Sequence, residues 1–218
     1  LTRHRHPSPP STSTKTTAPG PELDKFKARL CVVGTGAEQG TDYEFSFAQG
    51  SRSCSVWSVM GTVVVCEWID IHVDIQGAFL NTDMDAIVYT EQPQGLPHEV
   101  GPNGEKLIWR LKKALYGMRD SAAAWHKMFR ADLLEWGFQQ STADACLFTK
   151  REGDSFLRVL LFVDDLAIAN DKTIEGRALK EWLKGKISDK YKFSTSPDDN
   201  VYLGMTLERT EAGHLVLT

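Results

Sequence analysis

Two adjacent aspartates separate two apolar stretches of the chain. Asp164 and Asp165 follow the run 156–163 and precede the run 166–169. A two-residue connection between strands normally uses glycine or asparagine, because the turn requires positive φ angles, and adjacent carboxylates repel each other. Divalent cations relieve that repulsion, and Mg²⁺ prefers oxygen ligands. An isolated Asp-Asp pair is also common in solvated turns, so the pattern alone leaves both interpretations open.

A third carboxylate, Asp74, lies near the end of the sharpest strand pattern in the chain. Apolar and polar residues alternate over 68–76, which predicts a half-buried antiparallel strand. Asp70 and His72 share its polar face, and a solvated surface explains those two. If this strand lies beside the strand that carries Asp164, the two carboxylates become neighbours. Carboxylates in that arrangement can hold two metal ions about 3.5–4 Å apart for phosphoryl transfer.

The remaining patterns predict an α+β fold, with an antiparallel sheet covered on one face by helices. Ser121 is expected to cap the helix predicted over 121–136, and Gly137 is expected to end it. The third helix is expected to turn its apolar residues inward, namely Ile174, Leu179, Trp182, Leu183 and Ile187. Helices are predicted over 56–64, 121–136 and 173–191, and strands over 29–33, 68–76, 86–90, 107–111, 156–163, 166–169, 201–207 and 215–217.

Composition narrows the class of protein. The 218 residues are 41% hydrophobic, which suffices for one core with a small second lobe. The net charge of −4 argues mildly against nucleic-acid binding by the whole surface, so such binding must depend on local basic patches. No apolar run approaches the ~20 residues of a membrane span. The four widely spaced cysteines predict reduced intracellular thiols rather than a zinc site or a disulfide framework.

The first 22 residues differ from the rest. They are rich in proline, serine and threonine and have little to bury, which predicts a disordered tail over 1–22 before a globular region over 23–218. The first residue is Leu1 rather than methionine, so we expect the chain to be part of a longer protein.

Several segments together resemble the reverse transcriptase domain of copia-type retrotransposon Pol polyproteins. Their order along the chain matches that family, and the likeness runs from about residue 25 to residue 207. The segments are Lys27–Leu30 and 40–44 (finger region), His72–Asn81 (first catalytic motif), Tyr89–Pro93 (the segment after it), Leu111–Arg119 (second motif), Phe162–Asp165 (Tyr-Val-Asp-Asp box) and Val201–Gly204 (after the palm helix).

The resemblance implies a fold of fingers and palm and RNA-directed DNA synthesis by two-metal nucleotidyl transfer. It assigns Asp74 and Asp164 as ligands of two Mg²⁺ or Mn²⁺ ions and Asp165 as a supporting carboxylate. Ile75 would offer its backbone carbonyl to a metal. The expected partners are an RNA or DNA template-primer, deoxynucleoside triphosphates and the rest of a Pol polyprotein, with no membrane.

The resemblance also implies a nucleotide site. Phe79 would lie under the sugar of the incoming nucleotide and exclude a 2′-hydroxyl, although a core phenylalanine explains it equally well. Tyr116 and Gly117 would lie near the nucleotide and template. Lys27 and Arg29 would face the triphosphate, with a solvated strand edge as the alternative.

A basic cluster answers the objection from net charge. Arg110, Lys112, Lys113 and Arg119 lie close to Trp109 and Tyr116 in the sequence, and Lys127 and Arg130 follow. Such a cluster can hold a template backbone while aromatic rings stack on bases. An ordinary charged surface is the alternative.

Departures from the family keep other interpretations open. Asp120-Ser-Ala122 replaces a Gln-Ala-Pro that the family prefers, and Phe162 replaces a tyrosine. The thumb and the RNase H, integrase and protease regions are expected to be absent. A catalytically decayed nucleic-acid-binding remnant is therefore the second hypothesis. An unrelated α+β domain is the third, and it predicts that Asp74 and Asp164 lie far apart. Either a cytoplasmic particle or the nucleus would suit a retrotransposon protein.

Overall fold

The computed structural model describes residues 11–15, 25–32, 50–195, 201–202, 205–210 and 215–217. The finger-like segment 40–44 lies outside these residues. The chain divides into two compact units, which are described separately below. The first unit comprises Leu1–Phe47 and Phe79–Trp125, and the second comprises Ala48–Ala78 and His126–Thr218.

Most of the predicted helices and strands are present, with shifted ends. The helices are α1 (Ser53–Val65), α2 (Ala78–Asn81), α3 (Ser121–Glu135) and α4 (Ile174–Lys190). The strands are β1 (Ser11–Lys15), β2 (Lys25–Arg29), β3 (Ile69–Ile75), β4 (Asp83–Glu91), β5 (Ile108–Lys113), β6 (Gln139–Gln140), β7 (Leu147–Glu152), β8 (Ser155–Phe162), β9 (Asp165–Asn170), β10 (Phe193–Thr195), β11 (Val201–Tyr202), β12 (Met205–Arg209) and β13 (Leu215–Leu217).

The strands described in the first unit form two antiparallel pairs. Strand β1 pairs with β2, and β4 pairs with β5. Ser11–Lys15 lie within the predicted tail over 1–22, and their backbone groups pair with those of Lys25–Arg29. Pairing of this kind satisfies backbone donors and acceptors without apolar side chains, so low hydrophobicity did not reveal it. The core of the unit consists of Val32, Val88 and Met118.

An antiparallel six-stranded sheet, in the order β10-β3-β9-β8-β7-β6, dominates the second unit. Strands β11, β12 and β13 form a separate three-stranded antiparallel sheet where a hairpin was predicted. The α+β prediction is thus confirmed for a mixed fold built on antiparallel sheets.

Helices cover both faces of the six-stranded sheet, which corrects the prediction of a single covered face. Val56 and Met60 of α1 pack on Leu160 and Ala167, which are paired across β8 and β9. Lys150 pairs with Leu157 on the opposite face. Its Nζ lies 4.7 Å from the ring centroid of Trp182 in α4 and donates to the carbonyl of Trp136 at the end of α3. The central strands are apolar on both sides, so both faces have to be buried.

Helix α3 ends as predicted and begins differently. Gly137 has a φ of 83° and its N–H donates to the Leu134 carbonyl, while the next N–H, of Phe138, donates to the Leu133 carbonyl. These two bonds are the Schellman pattern that favours glycine. Ser121 does not cap the helix; its hydroxyl donates to the Leu115 carbonyl at 2.7 Å.

Thr173 caps α4, since its hydroxyl accepts the Gly176 N–H at 2.9 Å. Leu179, Leu183 and Ile187 are buried as predicted. Ile174 is 83% exposed, which corrects its predicted inward orientation. It occupies the first turn, outside the i, i+4, i+8 stripe of the other three.

A hydrogen-bond network centred on the buried Asp132 joins the ends of α3 and α4. The carboxylate of Asp132 accepts hydrogen bonds from the Tyr191 hydroxyl and from Lys190 Nζ, the latter at 2.7 Å. Burial, and then the hydrogen bond to Asp132, raises the pKa of Tyr191 far above its ordinary range. The network fixes the chain immediately before β10.

A second buried carboxylate, Asp144, holds the beginning of α1. It accepts the backbone N–H groups of Arg52 and Cys146, each at 2.9 Å. Burial alone would raise its pKa, but the Ser55 hydroxyl and these two N–H donors together lower the pKa below its ordinary value. The thiol of Cys146 is also buried, and this burial raises its pKa to about 12.

Candidate active site

Asp74 and Asp165 lie directly opposite each other on adjacent strands of the six-stranded sheet. They are register partners in the antiparallel pair β3–β9. The Ile75 N–H donates to the Asp164 carbonyl at 2.8 Å, so the backbone bonds flank the Asp74–Asp165 pair rather than join it. In such a non-hydrogen-bonded pair the Cα atoms are about 4.5 Å apart and the side chains share one face. The fold therefore brings two carboxylates together.

The register differs from the prediction by one residue. Asp74 faces Asp165, not Asp164, while Asp164 contributes its carbonyl to the Ile75 N–H. The third hypothesis required Asp74 and Asp164 to be far apart, and the hydrogen bond from the Ile75 N–H, next to Asp74, to the Asp164 carbonyl contradicts it.

The β8–β9 turn consists of Val163 and Asp164, because Phe162 pairs with Asp165. The prediction placed the turn one residue later. Val163 has a φ of 55°, whereas φ is not positive at Asp164. This is the form of a type II′ hairpin, which favours glycine at its first position. A β-branched residue with positive φ costs about 1–3 kcal/mol, and strain of this kind concentrates at functional sites.

The polar face of β3 is exposed to solvent at Asp74 and half-buried at His72. Asp74 and Asp165 are exposed, and Asp164 is half-buried. His72 pairs with Ala167, which packs under α1, and His72 is itself half-buried. The solvated-surface interpretation is therefore wrong for His72, and the side chain of Asp70 lies outside the described residues. The open end of this face contains the carboxylate pair.

The carboxylate pair suits a hard divalent cation. Like charges directly opposite on two strands destabilise a sheet, and a bound cation removes that repulsion. Mg²⁺ usually takes one or two carboxylates from the protein and completes its shell with water and substrate phosphates. Across the described part of the chain, no three His, Cys, Asp or Glu side chains are close enough together to hold a metal ion. A ligand set of two carboxylates still fits Mg²⁺ or Mn²⁺.

In the first unit, three of the residues predicted to bind nucleotide are in contact. The rings of Phe79 and Tyr116 meet edge to face, with centroids 4.9 Å apart. The guanidinium carbon of Arg29 lies 5.7 Å from the Tyr116 ring centroid. Phe79 and Arg29 are only half-buried, so neither is a closed core residue. The side chain of Lys27 lies outside the described residues.

Gly117 is required by the close approach of another backbone segment. The Val32 N–H donates to the Tyr116 carbonyl at 2.8 Å, which draws the two segments together. A Cβ atom at position 117 would lie 2.1 Å from the Val32 carbonyl oxygen, and φ is 85°. Only glycine satisfies both conditions.

The predicted basic residues of the first unit are exposed. Arg110 and Lys112 lie on one face of β5 because strand side chains alternate. Lys113 lies on the other face, where its Nζ is 2.6 Å from the Asp83 carboxylate. Arg119 is exposed beyond β5. Lys127 and Arg130 belong to the second unit, where Arg130 donates to the Gln140 side chain at 2.8 Å.

One residue beside the carboxylates was not predicted from the sequence. Ser194 of β10 is the register partner of Asp74 on the side away from Asp165. The pattern Phe-Ser-Thr is too short to show a strand period, so only the sheet pairing reveals the position.

None of the helices in the described ranges combines the length and apolarity that a membrane span needs.

Comparison with known proteins agrees with the geometry. Residues 14–218 match the family model described as reverse transcriptase (RNA-dependent DNA polymerase). The chain is 31% identical over 191 residues to the retrovirus-related Pol polyprotein from transposon RE2 of Arabidopsis thaliana, covering 88% of this chain. It is 27% identical over 190 residues to that from transposon TNT 1-94 of Nicotiana tabacum, covering 86% of this chain.

The chain spans 13% of the length of the Arabidopsis relative and 14% of the tobacco relative. The family match, in contrast, covers nearly the whole chain, including both units. The chain therefore belongs to the reverse transcriptase (RNA-dependent DNA polymerase) family.

Proposed function

We propose that this chain is the polymerase domain of a copia-type retrotransposon and catalyses RNA-directed DNA synthesis. The first unit would act as fingers and the second as palm. The relatives are Pol polyproteins by name, so we expect the domain to work within such a polyprotein on an RNA or DNA template-primer.

The observation that carries this proposal is the pairing of Asp74 with Asp165 across β3 and β9, beside a strained turn. A fold that only needed a solvated turn has no reason to place two carboxylates face to face or a valine at positive φ. Both features are consistent with a site that holds divalent cations.

The expected roles follow from position. Asp74 and Asp165 would hold Mg²⁺ or Mn²⁺ together with the phosphates of a deoxynucleoside triphosphate, and Asp164 and the Ile75 carbonyl are further candidate ligands. A divalent ion bound there supplies the charge neutralisation that nucleotidyl transfer requires. Phosphoryl transfer otherwise depends mainly on positioning and electrostatics, which the protein side chains provide.

The first unit would bind nucleotide and template. The exposed guanidinium and ammonium groups of Arg110, Lys112 and Arg119 suit a phosphate backbone, whose binding releases counterions. A phosphate would have to compete with Asp83 for the Lys113 ammonium group. The exposed ion pair between Lys113 and Asp83 is worth only about 0–1 kcal/mol. Arg29, which lies against the Tyr116 ring, is a further candidate for binding nucleotide phosphates.

The proposal is tested by primer extension on a homopolymer RNA template with Mg²⁺ or Mn²⁺. We expect extension by the parent chain and a loss of at least about 100-fold in Asp165→Asn, because a charged group that stabilises the transition state is removed. Asp154→Asn is the matched control, because Asp154 is an exposed carboxylate in the other turn of β8. It should retain parental activity.

The same assay separates the two functions left open by the sequence. A folded parent that binds template-primer but extends nothing with either metal would contradict the polymerase and support the decayed remnant. Equal extension by parent and Asp165→Asn would contradict the assignment of the site.

A further inference from the structure

Ser194 completes a row of polar side chains across the open end of the six-stranded sheet. Asp74 pairs with Asp165 on one side and with Ser194 on the other. Residues paired directly across antiparallel strands point to the same face. All three side chains are exposed. The hydroxyl of Ser194 therefore lies beside the carboxylate of Asp74, on the side away from Asp165.

The spacing suits a hydrogen bond between Ser194 and Asp74. The Gln76 N–H donates to the Lys192 carbonyl at 2.8 Å, so Gln76 and Lys192 form a hydrogen-bonded pair of the β3–β10 ladder. Hydrogen-bonded pairs recur at every second residue of an antiparallel ladder, so Asp74 and Ser194 form the next one. The Cα atoms of such a pair lie about 5.5 Å apart. A serine hydroxyl and an aspartate carboxylate together span that gap.

The position of β10 is fixed from the preceding residues. Tyr191 donates to the buried Asp132 carboxylate, and Lys190 donates to the same group. The carbonyl of Lys192 then holds the Gln76 N–H of the chain after β3. Ser194 follows two residues later, so its backbone is registered against β3 rather than free to slide.

We propose that Ser194 is a positioning residue for Asp74. With a divalent cation bound, we expect its hydroxyl to donate to one carboxylate oxygen of Asp74, which leaves the other oxygen for the cation beside Asp165. Carboxylates that bind metal are commonly oriented in this way by a neighbouring donor, and loss of that donor typically weakens metal affinity about 10–100-fold. The inference rests on the proposed function, because it concerns the same cation site.

The test is direct Mn²⁺ binding without substrate, measured as free Mn²⁺ by electron paramagnetic resonance. Ser194→Val removes the hydroxyl, and Ser194→Thr restores it in a side chain of the same shape. Thr195→Val is the matched control on the opposite face of the same strand. Asp74→Asn identifies the site within the titration.

We expect Ser194→Val to raise the Mn²⁺ dissociation constant about 10-fold, at the lower end of the usual range. Ser194→Thr and Thr195→Val should remain within about twofold of the parent, because neither removes the hydroxyl at position 194. A purely structural role for β10 would instead weaken binding in Thr195→Val as well. Parental affinity in Ser194→Val would overturn the inference.

The failure of the inference is distinguishable from that of the proposed function. If the parent binds Mn²⁺ and Asp74→Asn abolishes this binding, the cation site stands whatever Ser194→Val shows. If the parent binds no Mn²⁺, or Asp74→Asn binds it as the parent does, the cation site and the role of Ser194 are both wrong.

Discussion

The two turns at the ends of strand β8 have the same length and similar backbone but different residues. Gly153-Asp154 joins β7 to β8, and Val163-Asp164 joins β8 to β9. The first residue of each turn has positive φ, 59° at Gly153 and 55° at Val163. Glycine adopts this conformation without steric cost, whereas valine does not. The strained turn is the one beside Asp74, where we place the chemistry.

The carboxylates near these turns differ in the same way. Asp154 lies 3.3 Å from Arg151, a partner of opposite charge. Asp165 has Asp74, a group of the same charge, as its register partner on the adjacent strand. One end of β8 follows the rules that stabilise hairpins, and the other end departs from two of them. Both departures lie at the end of β8 where the proposed cation site is located, and local rules are most often broken at functional sites.

Replacing Gly153 by valine should produce one of the two largest changes in the free energy of unfolding. The space around position 153 is open, so the cost comes from the backbone alone, about 1–2 kcal/mol. Urea unfolding measures this free energy. The control is Asp154→Asn in the same turn, which should change the free energy of unfolding by less than about 0.5 kcal/mol. Gly185→Val cannot serve as the control, because Gly185 lies in helix α4. No loss of stability in Gly153→Val would mean that the two turns are not equivalent.

Removal of the Asp144 carboxylate should destabilise the protein by about 1–2 kcal/mol, since α1 loses its N-terminal acceptor. Because the pKa of Asp144 is lowered on folding, its contribution is present above the unfolded pKa of about 4 and is lost as pH falls through the folded value. Chemical unfolding at pH 7 and pH 3 should show a smaller difference for Asp144→Ala than for the parent. Equal differences would contradict the role of this carboxylate.

Val163→Gly should stabilise the protein by about 0.5–1 kcal/mol. Glycine relieves the strain in the turn, and the greater freedom of the unfolded chain offsets part of the gain. The same urea titration measures the effect. If Val163→Gly is instead destabilised, the side chain of Val163 contributes more than its backbone costs, and the contrast between the two turns disappears.

Asp74→Asn should have the smallest effect on stability and the opposite sign to a typical substitution. Replacing one of two facing charges by a neutral amide removes repulsion worth about 0.2–1 kcal/mol. We expect a small rise in the free energy of unfolding without divalent metal, while primer extension falls. A fall in both quantities would indicate that Asp74 is structural.

Sequence reasoning identified the elements of the site better than their register. Strict alternation over 68–76 located β3 and placed Asp74 on its polar face. The turn of β8–β9 was displaced by one residue, because composition favours Asp-Asp as a turn and disfavours valine at positive φ. Local preference predicts the relaxed arrangement, and here the sheet pairing overrides it.

Other features depend on contacts that no local pattern encodes. Ser194 acquires its place only because a three-residue strand pairs with β3. The covering of both sheet faces requires knowing which apolar residues of β8 meet α1 and which lie on the side of α3 and α4. Helices α1, α3 and α4 were predictable from their apolar spacing and from Gly137, whereas the short helix α2 was not predicted.

The buried thiol of Cys146 is an internal probe of local opening in the second unit. Cys54 and Cys66, at the two ends of α1, are exposed, whereas Cys146 is fully buried with a pKa of about 12. Only the thiolate attacks an alkylating reagent. Cys146 can therefore react only when its surroundings open locally. The ratio of the labelling rate of Cys146 to that of the exposed Cys54 and Cys66 measures the equilibrium constant for this local opening under native conditions.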